Sequence, residues 1–155
     1  MVRVLFVCSG NICRSPMAEG VFQHMVDEAG LGDKITVDSA GTGSWHVGES
    51  ADRRTRRELS KHGISYSGRS RQLNRGDFDK FDYILAMDHS NLRNIQAKAP
   101  RSTQAHIQML LDYAPSLGTR EVPDPYYDGG FDYVYDLVHA AAEGLLAHIR
   151  QEHGL

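Results

Sequence analysis

The sequence predicts an α/β fold, a parallel sheet with helices on both faces, and three observations carry that reading. Short β-branched apolar runs alternate with longer segments whose apolar residues recur at helical spacing. The first run leads directly into a glycine-bearing loop and a helix start. A chain of 155 residues is long enough for one well-buried core and too short for two ordinary domains, so a single domain over 1–155 is expected.

Val2 to Val7 is apolar at most positions and reads as a buried parallel strand. After the loop, Ser15 has the chemistry of an N-cap and Pro16 that of a first helical residue. Ala18, Val21, Phe22, Met25, Val26 and Ala29 then form one helical stripe, which Gly30 ends. Ile35 to Ala40 is a second strand. Ser50 or Asp52 caps a polar helix running to about His62, and Tyr83 to Met87 is a further buried strand. A helix starts near Ser90, and Ile107 to Leu111 fits either a last strand or a short helix. A long helix follows Phe131, with Phe131, Val134, Val138, Ala141, Leu145 and Ile149 on one face. The stretches Gly41 to Glu49 and Thr119 to Gly130 are rich in turn residues and read as loops.

Composition narrows the function classes. With 41% hydrophobic and 24% charged residues and a formal net charge of -3, the chain gives no reason to expect nucleic-acid or membrane partners. The apolar run Val4 to Val7 lacks the length and cleavage site of a signal peptide, and no later run approaches a membrane span, so a cytoplasmic location is expected. Two cysteines, Cys8 and Cys13, cannot build a disulfide framework or a paired C-x-x-C zinc site. Eight histidines lack a metal-ligand spacing, and neither metal nor cofactor is expected.

The segment Cys8-Ser9-Gly10-Asn11-Ile12-Cys13-Arg14-Ser15-Pro16 carries the chemistry. A loop that surrounds a tetrahedral oxyanion needs inward N–H groups, hence unusual backbone angles and close approach, and Gly10 and Asn11 tolerate both. The helix that follows adds its positive N-terminal end, which favours a bound anion and an ionised Cys8. Ser15 can donate to the sulfur. Arg14 offers a planar fork for two equatorial oxygens, which lysine does not reproduce. No Gly-Lys-Ser/Thr follows, so this is not a nucleotide loop, and covalent catalysis through a phosphocysteine is the better reading.

Together with Asp124-Pro125-Tyr126-Tyr127, this segment resembles the low-molecular-weight protein tyrosine phosphatases. The likeness extends in order through Asp38-Ser39-Ala40-Gly41, Trp45-His46-Val47-Gly48, His62-Gly63-Ile64, Asp82 to Asp88 and Ser90-Asn91-Leu92. It implies a four-stranded parallel sheet flanked by helices on both faces, a flavodoxin-like doubly wound fold. It makes Cys8 the nucleophile, Arg14 the phosphate and transition-state binder, and Asp124 the general acid and base. Chemistry asks for that acid independently, because a tyrosyl oxygen leaves phosphorus more easily when protonated. The resemblance further implies a phosphate-binding loop of Ser9, Gly10, Asn11, Ile12, Cys13 and Ser15, with Asn11 held in shape by Ser15 and Ser39. Some members brace the loop asparagine with a histidine six positions beyond the one matching His62, where this chain has Gly68. Asp88 reads as structural support.

A phosphotyrosine ring needs apolar walls, for which Ile12, Trp45, Tyr126 and Tyr127 are candidates. Relatives that hydrolyse phosphoarginine tend to carry threonine where this chain has Ile12. Cys13 is either a packed thiol or a redox partner that captures oxidised Cys8 as a disulfide. Arg53, Arg54, Arg56 and Arg57 lie on one helix beside Asp52 and Glu58 and read as a solvated face that can attract acidic phosphopeptides. Tyr126 and Tyr127 sit in an exposed-looking loop and are candidate regulatory phosphorylation sites. The expected partners are phosphotyrosine proteins, a tyrosine kinase being one candidate, with inorganic phosphate as product and the chain a monomer or weak oligomer. The alternatives are an arsenate reductase or phosphoarginine phosphatase on the same fold, and a module that binds phosphotyrosine without hydrolysis. The first is disfavoured because no cysteine follows Cys13.

Overall fold

The computed structural model describes residues 1–155 throughout. Four strands, β1 (Val2–Cys8), β2 (Ile35–Gly41), β3 (Tyr83–Ala86) and β4 (His106–Met109), pair in the order β2-β1-β3-β4, all parallel. Val4 lies opposite both Val37 and Tyr83, and Val7 opposite Ala40 and Ala86, so β1 is hydrogen-bonded along both edges. Its side chains alternate between two cores. Val4 and Phe6 face the larger one, packed by α1 (Arg14–Glu28) and α6 (Phe131–His153); Leu5 and Val7 face a smaller one holding Phe78, Ile84, Ile95 and Met109. Burial on both faces explains why β1 reads as a continuous apolar run rather than an alternating one.

The chain leaves β1 for β2 on one side and returns to β3 on the other, so the winding reverses at the C-terminal end of β1. That end carries Cys8. Open α/β sheets bind ligands in the crevice such a reversal leaves. The helix α4 (His89–Lys98) covers the smaller core together with the one-turn α3 (Asp77–Lys80), and α2 (Arg53–Lys61) sits beside α1 and α6.

Most expected elements are found within a residue or two of their expected bounds. Asp52, not Ser50, caps α2 by accepting from the Arg54 N–H, and α4 begins at His89, one residue before the expected start, capped by Asp88. The ambiguous Ile107 to Leu111 stretch is both things in turn, a strand to Met109 and then a 3-10 turn over Leu110–Tyr113. Gly30 ends α1 with φ +70, its N–H bonded to the Asp27 carbonyl. All six residues of the expected α6 face are buried.

Two expectations fail. Ser15 is not the N-cap of α1, because the helix begins at Arg14 and Cys13 holds the cap position without a side-chain bond. The Ser15 hydroxyl is turned into the loop instead, and Pro16 is therefore the third helical residue, where a missing N–H still costs nothing. The Thr119 to Gly130 loop is also not wholly irregular: Pro125–Asp128 form a one-turn helix, α5, capped by Asp124.

One glycine in α6 is dictated by packing. A Cβ built on Gly144 would lie 1.9 Å from the Tyr113 carbonyl oxygen, where the 3-10 turn crosses the helix. Gly→Ala inside a helix ordinarily stabilises by about 1 kcal/mol, but here backbone must move to admit one carbon. Gly144→Ala should therefore destabilise by about 1–3 kcal/mol, the usual range for overpacking. Urea denaturation reads the sign directly, and a gain in stability would contradict the packing described.

Candidate active site

The segment between β1 and α1 turns tightly over the end of the sheet, and its carbonyls face the scaffold. Ser9 O accepts from the Gly43 N–H, Gly10 O from Ser70 Oγ, Ile12 O from the Asp52 N–H and Cys13 O from Thr55 Oγ1. No N–H from Ser9 to Cys13 donates to a backbone carbonyl, although Asn11, Ile12 and Cys13 are buried. Buried N–H groups are ordinarily paired. A run of them left free around one point is a cradle for an anion.

The two tolerances expected of Gly10 and Asn11 are divided between them. Asn11 alone takes the left-handed conformation, at φ +58, the one non-glycine residue to do so. Gly10 provides close approach, since a Cβ there would meet His46 Cδ2 at 2.9 Å. Gly41 does the same from the neighbouring strand, where a Cβ would stand 2.8 Å from Ser9 O.

Asn11 is well anchored despite Gly68. Its Nδ2 donates to Ser15 Oγ at 2.8 Å and to Ser39 Oγ at 3.0 Å, and its Oδ1 accepts from the Arg71 N–H at 2.9 Å. Ser39 Oγ donates in turn to Glu19 at 2.6 Å, and Tyr66 donates to the same carboxylate oxygen at 2.7 Å. A Cβ on Gly68 would lie 2.5 Å from the Tyr66 hydroxyl. The phenol therefore occupies the space a side chain at position 68 would need, and the brace is built from Tyr66 and Glu19. Neither residue stood out in the sequence. A tyrosine two positions before an unexplained glycine was the available signal.

Cys8 Sγ lies 3.0 Å from Ser15 Oγ at the base of the loop, and both cysteines are buried free thiols. Burial, with Asp52 and Cys8 adding to it, pushes the Cys13 thiol up to about 12. Arg14 is 2% exposed, its Nη1 donating to Asp88 Oδ2 at 2.6 Å and to Val122 O at 3.0 Å. Burial works against its charge, but Cys8, Asp88 and Asp124 outweigh it and hold the guanidinium pKa above its ordinary value. Asp88 thus supports Arg14 while capping α4, the structural part expected of it.

Asp124 reaches the same place from the far end of the chain. Val122 donates its N–H to Met87 O at the end of β3, which brings the loop across the sheet. Asp124 Oδ1 accepts from the Tyr126 N–H, and Oδ2 stands 3.7 Å from Arg14 Nη2. Arg54 ties this loop down. It forks onto Asp52, donates to Tyr126 O at 3.0 Å, and lies 4.6 Å from the Phe131 ring centre. The arginine face is exposed as expected, Arg54 included, although Arg54 also binds a carbonyl of the loop that folds back to it; Arg53 and Arg57 are exposed and unpaired.

One cavity of about 470 Å³ gathers these groups, lined by Cys8, Ser9, Gly10, Ile12, Cys13, Arg14, Asp124, Trp45, His46, Tyr126 and Tyr127. Every expected wall residue borders it. Only Ile12 is buried, whereas Trp45 is 71% and Tyr127 87% exposed, so the aromatics form a rim rather than a deep slot. His46, unremarked in the sequence beyond its motif, completes the rim, paired with Glu49 and tilted against Tyr126. No group of three or more His, Cys, Asp or Glu side chains is placed to hold a metal.

A cysteine under a ring of free N–H groups, with a guanidinium beside it and a carboxyl above, on this sheet, defines a cysteine-dependent phosphatase. The chain belongs to the low molecular weight phosphotyrosine protein phosphatase family, whose model matches residues 3–154. A Synechocystis relative is 51% identical over 154 residues, 97% of this chain and 98% of that one. The Bacillus subtilis low molecular weight protein-tyrosine-phosphatase YfkJ is 46% identical over 98% of both chains, and its crystal structure superposes with a TM-score of 0.94 over 98% of this chain and 96% of that one. A Drosophila arginine phosphatase, 37% identical, superposes with a TM-score of 0.90 over 97% and 98% of the two chains.

The half-buried Glu19 gives a pH test of the brace. Burial raises its pKa above the ordinary 4.5, against the opposing bonds from Ser39 and Tyr66. The folded state then holds this proton more tightly than the unfolded chain, so the contribution is full below 4.5 and is lost as pH rises through the folded value. Glu19→Gln keeps an oxygen for both donors and removes the titration. Its stability relative to wild type should rise as pH increases from 4.5 toward the raised folded value, with a slope of at most about 1.4 kcal/mol per pH unit. Parallel urea melts whose difference does not change with pH would contradict this assignment.

Proposed function

We propose that the protein hydrolyses phosphotyrosine in polypeptides through a phosphocysteine, with Cys8 as nucleophile, Arg14 as phosphate and transition-state binder, and Asp124 as general acid and then base. The observation that carries this is the run of N–H groups from Ser9 to Cys13 with no backbone acceptor, in a loop that lines one cavity with Cys8, Arg14 and Asp124. A phosphate dianion held there presents phosphorus to the thiolate, with the ester oxygen pointing out toward Asp124.

In the first step sulfur attacks phosphorus while Asp124 protonates the departing phenolate oxygen. Arg14, braced by Asp88, follows the equatorial oxygens as they flatten. Ser15 donates to the sulfur and steadies it as a leaving group for the second step. There the Asp124 carboxylate takes a proton from water, which attacks phosphorus, frees inorganic phosphate and restores the thiolate. The rim of Trp45, Tyr126 and Tyr127 over Ile12 suits a flat ring held between aromatic faces. Ile12 offers no polar group to direct a guanidine, which favours phosphotyrosine over phosphoarginine. Two unprotected thiols suit a reducing compartment, and the cytoplasm is the proposed setting.

Release of phosphate from phosphotyrosine, phosphoarginine and phosphoserine peptides tests the reading. Wild type should act on the first alone, and Cys8→Ser on none; turnover by Cys8→Ser overturns the mechanism, and a preference for phosphoarginine overturns the substrate class. Asp124→Ala should slow phosphotyrosine turnover about 10²–10⁴-fold, yet much less for p-nitrophenyl phosphate, whose leaving group needs little protonation. The wild-type rate should follow a bell in pH, because the sulfur must be ionised and the carboxyl protonated, and Asp124→Ala should lose the alkaline limb. Equal losses on both substrates would remove Asp124 from the acid role.

A further inference from the structure

The positive charge of this acidic chain is concentrated on one helix. Five of its 17 lysines and arginines, Arg53, Arg54, Arg56, Arg57 and Lys61, fall within the nine residues of α2, in a protein of net charge -3. The one acid among them, Glu58, is buried and engaged by Lys61 and His62. Arg54 is committed to Asp52 and Tyr126 O, and Arg56 donates to Ala51 O. Arg53 and Arg57 are exposed and make no hydrogen bond or ion pair. Residues four apart share a helix side, so Arg53, Arg57 and Lys61 form one stripe about 12 Å long.

The stripe starts on a helix whose first turn adjoins the active-site loop. The N-terminus of α2 is bonded to the phosphate loop itself, Asp52 N–H to Ile12 O at 2.8 Å and Thr55 Oγ1 to Cys13 O at 3.2 Å. Arg54, beside Arg53, touches the Tyr126 carbonyl on the cavity rim. A polypeptide leaving the cavity over this edge passes Arg53 first and Arg57 one turn later. Extended chain rises about 3.4 Å per residue, so the stripe spans about four residues.

Resting on the phosphatase reading above, we propose that Arg53 and Arg57 form a docking stripe for acidic side chains within about four positions of the phosphotyrosine in the protein substrate. Charge complementarity identifies the occupant. The chain as a whole is negative and repels extended anionic surfaces, so a short acidic segment already tethered at the cavity gains most from so local a patch. Neither arginine touches the reacting atoms; they act on capture of the substrate.

The test compares phosphotyrosine peptides carrying four Glu on the N-terminal side, the C-terminal side, or both, with matched Gln peptides. At about 20 mM salt wild type should favour at least one Glu arrangement in kcat/KM by about 3- to 10-fold, as two exposed ion pairs allow. Added salt to about 0.5 M should remove the preference. The double variant Arg53→Glu, Arg57→Glu should abolish or reverse it while leaving p-nitrophenyl phosphate turnover unchanged. Equal rates on Glu and Gln peptides, a preference that survives in the variant, or an equal loss on the small ester overturns the proposal. So does binding to phosphatidylserine vesicles without peptide discrimination, which would make the stripe a membrane contact. Failure of wild type on every ester falls on the phosphatase reading instead; docking is then read by fluorescence anisotropy with Cys8→Ser and the same peptides.

Discussion

The arrangement of the site depends on one backbone constraint, the left-handed turn at Asn11. With φ at +58, the chain reverses its carbonyls outward and leaves the N–H groups of Ser9 to Cys13 free. An L side chain in that region costs of order 1 kcal/mol or more unless its surroundings hold it. Asparagine lowers the cost, and three side-chain hydrogen bonds over-determine the conformation. Glycine would take the angle more easily but offers no such bonds, and the loop would sample other shapes. The choice of asparagine over glycine is therefore a choice of rigidity, and a preorganised cradle needs no reorganisation when charge develops on its ligand.

The second dependence is electrostatic. Burying Arg14 at 2% exposure removes most of its water, and the carboxylates of Asp88 and Asp124, the Cys8 sulfur and the Val122 carbonyl keep its charge in place. These groups come from β1, the end of β3 and the loop before α6, so the charged centre can form only after the sheet has assembled. Val122 shows how closely fold and site are linked. Its N–H extends the β3 end while its carbonyl receives Arg14, and the next residues carry Asp124 over the cavity.

The sequence was most legible where local chemistry and global fold agree. The β1-loop-α1 unit, the apolar face of α6 and the cap at Asp52 all carry short-range signals that tertiary packing reinforces. Ser15 misled because serine before proline fits an N-cap equally well, and only the position of Cys8 Sγ decides that its hydroxyl is needed elsewhere. Tyr66 and Glu19 were illegible because the Ser39–Glu19 and Tyr66–Glu19 bonds span 20 and 47 residues and follow no spacing rule. That Arg54, a surface charge, also ties down the loop was illegible for the same reason. Its partner carbonyl, at Tyr126, is 72 residues away, on a loop whose return to α2 no local pattern announces.

In the proposed mechanism Asp124 serves both structure and reaction without conflict. As the cap of α5 it accepts the Tyr126 N–H through Oδ1, which fixes the carboxyl plane. That leaves Oδ2 as the oxygen facing Arg14 across 3.7 Å, too far for a good hydrogen bond. A proton on Oδ2 rather than Oδ1 keeps the cap intact, because a protonated Oδ1 would lose its best lone pair to the proton. The same bond thus leaves Oδ2 as the oxygen that would transfer the proton in the proposed mechanism. Arg54, by holding Tyr126 O, steadies the residue whose N–H bonds Oδ1.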